Sequence, residues 1–155
     1  MLCFSMKRRI LGAWLVAGLV GQFSEALHAQ SVDSNNIVVV VKRGNDVEAL
    51  RLEQVSRIFL GLNDTLPNGV IVIPVDAPEG SALHQDFYSK VTGKTVAQIK
   101  AHRARQSFTG VGIPPRQAAT PAQAFKLDSK EKPVITYIRK RDLDDQHQVV
   151  LEVTK

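Results

Sequence analysis

The residue types best suited to binding chemistry lie in residues 74–82, where Asp76 ends an apolar run and Gly80-Ser81-Ala82 follows. Ser is a preferred residue at the start of a helix. The first amides of a helix have no partner within it and carry partial positive charge, so they attract anions. We therefore expect Asp76, Gly80, Ser81 and Ala82 to form an anion-binding site. The alternative is that Ser81 and Asp76 only cap their own helix and loop.

A second candidate segment contains Thr109, Gly110 and Gly112, then two prolines and Arg116. A threonine hydroxyl can donate a hydrogen bond to an anion, and an arginine can pair with one. We expect Thr109, Gly110 and Arg116 to complete the site, the alternative being a rigid connection between two helices with Arg116 solvated. The spacing is not a nucleotide motif, because a third Gly or a following Lys-Ser/Thr is missing.

Catalytic and metal-binding patterns are absent from the sequence. His84, His102 and His147 do not have the spacing of metal ligands, and we expect each of them to be solvated. The acidic cluster at residues 142–145 lacks the Gly and terminal Glu of a calcium loop. Ser81 has no evident base to activate it as a nucleophile. The sequence therefore predicts a protein that is not an enzyme and uses no metal or cofactor.

Hydrophobic periodicity predicts the elements that position these residues, in the order β-α-β-α-α-α-β-β. Strands that alternate with helices indicate an α/β fold, here with a mixed, largely parallel sheet flanked by helices. Ser81, a Thr95/Gln98 capping box and Thr120-Pro121 are helix start signals. The expected strands cover residues 37–41, 70–75, 134–138 and 149–153, and the expected helices cover residues 52–60, 81–93, 95–108 and 120–127.

The third helix carries small residues at helical spacing. Ala97, Ala101, Ala104 and Phe108 fall on one stripe, which predicts close packing against a neighbouring element. Arg103, between two other basic residues of this helix, is expected to belong to a solvated face.

Residues 1–29 have the pattern of a cleavable secretory signal peptide. A basic cluster at residues 7–9 precedes an uncharged apolar run over residues 10–21, and cleavage is expected near Ala29. We therefore predict a single domain over residues 30–155 that is exported from the cytoplasm, with no membrane span after cleavage. Cys3, the only cysteine, leaves with the signal, so no disulfide can form. Cleavage also removes three basic residues and one acidic residue, and the remaining mild positive charge does not call for a nucleic-acid partner.

Several sequence blocks resemble one family, the short phosphate ABC-transporter substrate-binding-like proteins, which have a type 2 periplasmic-binding-protein fold. The resemblance runs from about Ile37 to Val153. It rests on Arg57-Ile58-Phe59-Leu60-Gly61, Pro67-Asn68-Gly69, Ile73-Pro74-Val75-Asp76, Phe87-Tyr88, Val91-Thr92-Gly93-Lys94, Phe108-Thr109-Gly110 and Pro114-Pro115.

The resemblance implies a periplasmic solute-binding module that binds phosphate or a related oxyanion for an ABC-type uptake system. Ser81 matches the first residue of the family's Ser-Gly-Thr anion-binding turn, whereas Ala82 and Leu83 replace the other two. The chain has room for one lobe of the two that close on a ligand in full-length members. A second lobe, a homodimer mate or an inner-membrane protein is then the expected partner. The alternative is a periplasmic protein-interaction or sensory accessory module that has lost the ligand.

Overall fold

A five-stranded sheet organises residues 35–154, the part of the chain that this computed structural model describes. The order is β3-β2-β4-β1-β5. Strand β2 runs parallel to β3 and β4, whereas β1 runs antiparallel to β4 and β5, so four of the five strands point the same way. The predicted α/β fold with a mixed, largely parallel sheet is confirmed. The strands are β1 (Ile37–Lys42), β2 (Ile73–Asp76), β3 (Arg116–Gln117), β4 (Val134–Arg139) and β5 (His147–Val153).

The helices begin and end where the local sequence directs them. Ser81 and Thr95 cap α2 and α3 by accepting hydrogen bonds from backbone amides three residues later, at 3.2 and 3.3 Å. Gly93 and Gly110 end the same helices in the left-handed conformation. The helices are α1 (Leu52–Phe59), α2 (Ala82–Thr92), α3 (Val96–Thr109) and α4 (Pro121–Ala124), and a 3-10 turn, Phe125–Leu127, continues α4.

Strand β1 lies at the centre of the core and is buried on both faces, as its unbroken β-branched run predicts. Ile37 and Val39 pack on the side of α1, α2 and α3, whereas Val38 and Val40 pack on the opposite side with Phe125. Each fully buried side chain of this size contributes about 1.5–3 kcal/mol of hydrophobic stabilisation. Helices and the 3-10 turn thus cover both faces of the sheet.

The prediction that the small-residue stripe of α3 packs closely against a neighbouring element is wrong. Ala97, Ala101 and Ala104 are exposed, and 93% of the Phe108 surface is accessible to solvent. The short strand β3 was also not predicted, because two residues are too few to give a periodic pattern.

Helix α3 instead turns a mainly polar face inward. Ile99 and Gln106 are buried on this face, and His102 and Arg103 are half-buried. His102 Nε2 and Gln106 Nε2 lie 2.9 and 2.8 Å from the Leu60 carbonyl oxygen at the end of α1. The last carbonyls of a helix lack partners within the helix, so these side chains satisfy a group that an alanine stripe would have left open.

The predicted signal sequence and its cleavage site fall outside residues 35–154, so they stay predictions. Within the described range, no helix is both long enough and apolar enough to cross a membrane.

Candidate functional site

A cleft of about 280 Å³ opens beyond the carboxyl end of β2. It is bounded by the turn that follows Asp76, by the starts of α2 and α4, and by the middle of β4, which contributes Thr136 and Tyr137. Ser81 lines the cleft at the start of α2. Ligands of open α/β sheets bind in crevices at this edge, which makes the cleft the candidate site.

The start of α2 presents free donors. The Ser81 hydroxyl oxygen accepts a hydrogen bond from the His84 amide, so its own hydrogen remains available to a ligand. The amides of Ala82 and Leu83 make no hydrogen bond to any described residue. Gly80, which precedes the cap residue Ser81, has φ of +82°, a conformation that favours glycine. The positive end of the α2 dipole therefore lies beside the cleft, at the predicted oxyanion site.

Asp76, the last residue of β2, belongs to a polar cluster that we call the Asp76 cluster: Asp76, Tyr88, Arg103 and Tyr137. Its carboxylate accepts hydrogen bonds from the hydroxyls of Tyr88, at 2.9 Å, and Tyr137, at 3.1 Å, and it pairs with the Arg103 guanidinium. The Asp76 side chain is fully buried, and that of Arg103 is 15% exposed. Asp76 thus joins β2 to α2, α3 and β4.

Burial raises the pKa of the Asp76 carboxyl, and the neighbouring Arg103 charge and Tyr88 hydrogen bond oppose that shift. Burial next to the Asp76 carboxylate also raises the pKa values of the Tyr88 and Tyr137 hydroxyls, so both remain protonated donors. The donors around Asp76 hold the carboxylate in place, which fixes the turn that leads into Ser81.

The prediction that the three histidines are solvated is wrong: His102 is half-buried, His147 is buried, and His84 has no exposed surface. The side chain of His84 is fully buried against the Tyr88 ring, with 4.7 Å between ring centroids, and neither ring nitrogen has a hydrogen-bond partner among the described residues. Burial lowers the pKa of His84, and the Asp76 carboxylate opposes the shift. A neutral imidazole at this position avoids placing an uncompensated charge in the core.

The structure does not bring all of the predicted site residues together. Asp76 and Ser81 line the cleft, and Gly80 and Ala82 flank Ser81 in the chain.

The residues from the second candidate segment lie elsewhere. The Thr109 hydroxyl donates to the Arg105 carbonyl oxygen at 2.9 Å within α3, and Gly110 caps that helix. Arg116 begins β3 and lines a different groove.

Sequence reasoning missed Arg103 as a partner of Asp76. A signal was present, because Arg103 stands four residues after Ile99 and three before Gln106 on the buried face of α3. A search restricted to apolar residues does not detect that face. Among the described residues, no basic side chain lines the cleft itself, and no group of three or more side chains is able to hold a metal ion.

Comparison with protein-family models and with curated proteins gives no match for this sequence. Two solved structures are similar in fold. One is described as a phosphate ABC transporter substrate-binding protein from Clostridium perfringens with bound phosphate: its TM-score is 0.55 at 18% identity, over 74% of this chain and 44% of that one. The other is an ABC-type phosphate transport receptor from Vibrio cholerae, with a TM-score of 0.54 at 14% identity, over 74% of this chain and 45% of that one.

These similarities confirm the resemblance at the level of the fold. The chain matches less than half of the length of either solved protein.

Proposed function

We propose that this chain is a periplasmic solute-binding module that binds phosphate or a related oxyanion at the start of α2, in the service of an ABC-type uptake system. The observation that carries the proposal is the pair of free amides, Ala82 and Leu83, beside a cleft at the carboxyl edge of the sheet. The fold it shares with two proteins described as phosphate-transport components supports the same assignment.

The geometry suits a small tetrahedral anion. The Ala82 and Leu83 amides and the Ser81 hydroxyl can each donate a hydrogen bond, and a volume of about 280 Å³ accommodates an ion of that size. No reacting group is needed for this role, and we propose a binding protein rather than an enzyme. The predicted signal peptide supports export to the periplasm.

Binding by this module alone should be weak. None of the basic side chains within residues 35–154 lines the cleft, and a helix dipole at an exposed site contributes only about 0.3–1 kcal/mol. With two or three further hydrogen bonds, a dissociation constant in the millimolar range, about −4 kcal/mol, is the expected result. A second lobe, a homodimer mate or an inner-membrane protein would supply the missing cationic side of the site.

The proposal is tested by titrating the ¹⁵N-labelled protein with phosphate or sulfate and following the amide resonances of Ala82 and Leu83. Saturable shifts at millimolar anion, with chloride as the ionic-strength control, are the expected result. Ala82→Pro removes one free amide at the first helical position, where proline is tolerated, and it should weaken binding at least threefold. The preceding residue, Ser81, has ψ of 151°, a conformation that a following proline accepts.

Val96→Pro is the matched control, because it removes the equivalent amide at the start of α3, where Thr95 has ψ of 161°. It should leave the Ala82 and Leu83 shifts unchanged. Absence of saturable shifts in the wild-type protein, or equal weakening by both proline variants, would reject the oxyanion site.

A second candidate function is protein interaction without a ligand. It is favoured by large apolar side chains that the fold leaves in solvent, above all Phe108 at 93% and Ile113 at 75% exposure. A negative anion titration would leave this function in place.

A further inference from the structure

A continuous groove runs along α1 on a part of the surface that does not include the cleft. Two depressions, of about 380 and 510 Å³, meet at Ile58 and Asn63, which line both. The first of them is largely apolar and includes three side chains that are strongly exposed: Leu62 at 53%, Ile71 at 41% and Ile113 at 75%. A row of large aliphatic side chains in solvent is typical of an interaction surface.

The wall of the groove is held by a close contact between two loops. Gly61 and Gly112 both have positive φ, and a Cβ atom on Gly112 would collide with the Gly61 carbonyl oxygen. This contact sets Leu62 and Ile113, the next residue after each glycine, on the same groove. The exposure of Ile113 is therefore built into a tightly packed loop pair.

The rim of the groove is cationic. Four basic side chains line the two depressions, and none of them forms an ion pair with any described residue: Arg51, Arg57, Arg116 and Lys132. Of the acidic side chains in the described part of the chain, two line the groove, Glu53 and Asp64. Ion pairing varies elsewhere in the described chain, where Arg103 is paired with a carboxylate but Lys100 and Arg105 are not, so what distinguishes the groove is its excess of cations around an apolar floor.

We infer that this groove docks an acidic amphipathic segment of a partner protein, with apolar anchors on the aliphatic floor and carboxylates on the cationic rim. Charge complementarity selects this occupant. A second copy docked groove to groove would oppose the same excess of cations on both sides, which disfavours that symmetric arrangement. Single-stranded nucleic acid is recognised by base stacking on aromatic rings, and none of the aromatic side chains that the structure describes lines the groove. The inference is independent of oxyanion binding.

Site-specific photocrosslinking with the full chain, expressed in cells of its own source, tests the inference. A benzophenone amino acid at position 62 or 113 should give an adduct, and the same group at Ala97, exposed on α3, should not. Mass spectrometry of the adduct then identifies the attached segment. An acidic segment with apolar residues at helical or alternating spacing supports the inference.

Reversal of the rim charges is the second test of the groove. The double variant Arg57→Glu/Arg116→Glu should lower the adduct yield at least tenfold and weaken binding of the synthetic crosslinked peptide by the same factor. The matched control, Lys100→Glu/Arg105→Glu, reverses two exposed charges on α3 and should change neither. Circular dichroism checks that both variants fold.

Three outcomes overturn the inference. The first is no adduct at either groove position. The second is an adduct to another copy of the chain, to nucleic acid or to lipid. The third is an attached protein segment that is not acidic, or whose capture is unaffected by the reversal at Arg57 and Arg116.

Discussion

Replacing Arg103 by Met should destabilise the protein strongly, because it leaves the Asp76 carboxylate buried without its counter-ion. The Asp76 side chain has no exposed surface. Removing one partner of a buried ion pair costs about 3–5 kcal/mol. The lower end, about 3 kcal/mol, applies here because Arg103 is 15% exposed and the hydroxyls of Tyr88 and Tyr137 still donate to the carboxylate. For a domain of this size, that loss lowers Tm by roughly 10 °C.

The stability lost in Arg103→Met should depend on pH, and the direction of that dependence identifies the buried Asp76 carboxylate as its cause. Burial already raises the pKa of Asp76 above its unfolded value, and loss of Arg103 raises it further. The folded variant therefore holds a proton on Asp76 that the unfolded chain releases above about pH 3.9, so its stability falls as pH rises through the folded pKa of Asp76. The destabilisation relative to wild type should be largest near pH 7 and should shrink as the solution is acidified.

Urea unfolding followed by circular dichroism at several pH values measures both effects. Arg105→Met, an exposed arginine on the same helix, is the matched control and should cost less than about 0.5 kcal/mol. In an Asp76→Asn background, Arg103→Met should cost much less, because no buried charge remains to be left unpaired. A cost below about 1 kcal/mol in the wild-type background, or a cost that does not change with pH, would refute the role assigned to the ion pair.

Three further predictions concern single positions. The free energy of unfolding of the wild type should fall by up to about 1.4 kcal/mol per pH unit below pH 6.5, because the unfolded chain protonates His84 before the folded one does. In His84→Phe this part of the pH dependence should disappear. A slope equal to that of the wild type in urea unfolding would contradict this prediction. Gly112→Ala should cost about 2 kcal/mol or more and exceed Gly80→Ala, because both glycines have positive φ but only Gly112 faces the Gly61 carbonyl. Ser81→Ala should cost about 1 kcal/mol in thermal unfolding and Ser81→Gly less, and equal costs would argue against the cap.

Local sequence signals were sufficient for most of the fold. The five-residue β-branched run of β1 needs two covered faces, and the structure supplies both. Ser81, Thr95 and Thr120 predict helix starts because a short side chain there satisfies an amide within the same turn. These are interactions between residues a few positions apart, so they can be recognised without knowledge of the tertiary structure.

The polar interior could not be predicted in the same way. Asp76 and Arg103 are 27 residues apart, and they meet only because α3 packs with its polar face inward. The sequence shows a basic helix, for which solvation is the ordinary expectation. His84 was missed for the same reason, since its burial depends on the packing of Tyr88 rather than on any pattern in α2.

The two proposed sites should act independently, because they lie at opposite ends of β2. The cleft follows Asp76 at the carboxyl end of the strand, whereas the groove contacts Ile73 and Pro74 at its beginning. Ile73 and Asp76 are three residues apart, about 10 Å along the extended strand, and the groove and the cleft share no lining residue.

Reversing the rim charges Arg57 and Arg116 should therefore change the phosphate dissociation constant, measured from the Ala82 and Leu83 amide shifts, by less than twofold. Arg103→Met should change it more, because the Asp76 cluster fixes the turn that leads into Ser81. If the rim variant weakens phosphate more than the Arg103 variant does, the anion is held by the groove and its free guanidinium groups, and the assignment of the oxyanion to the start of α2 is wrong.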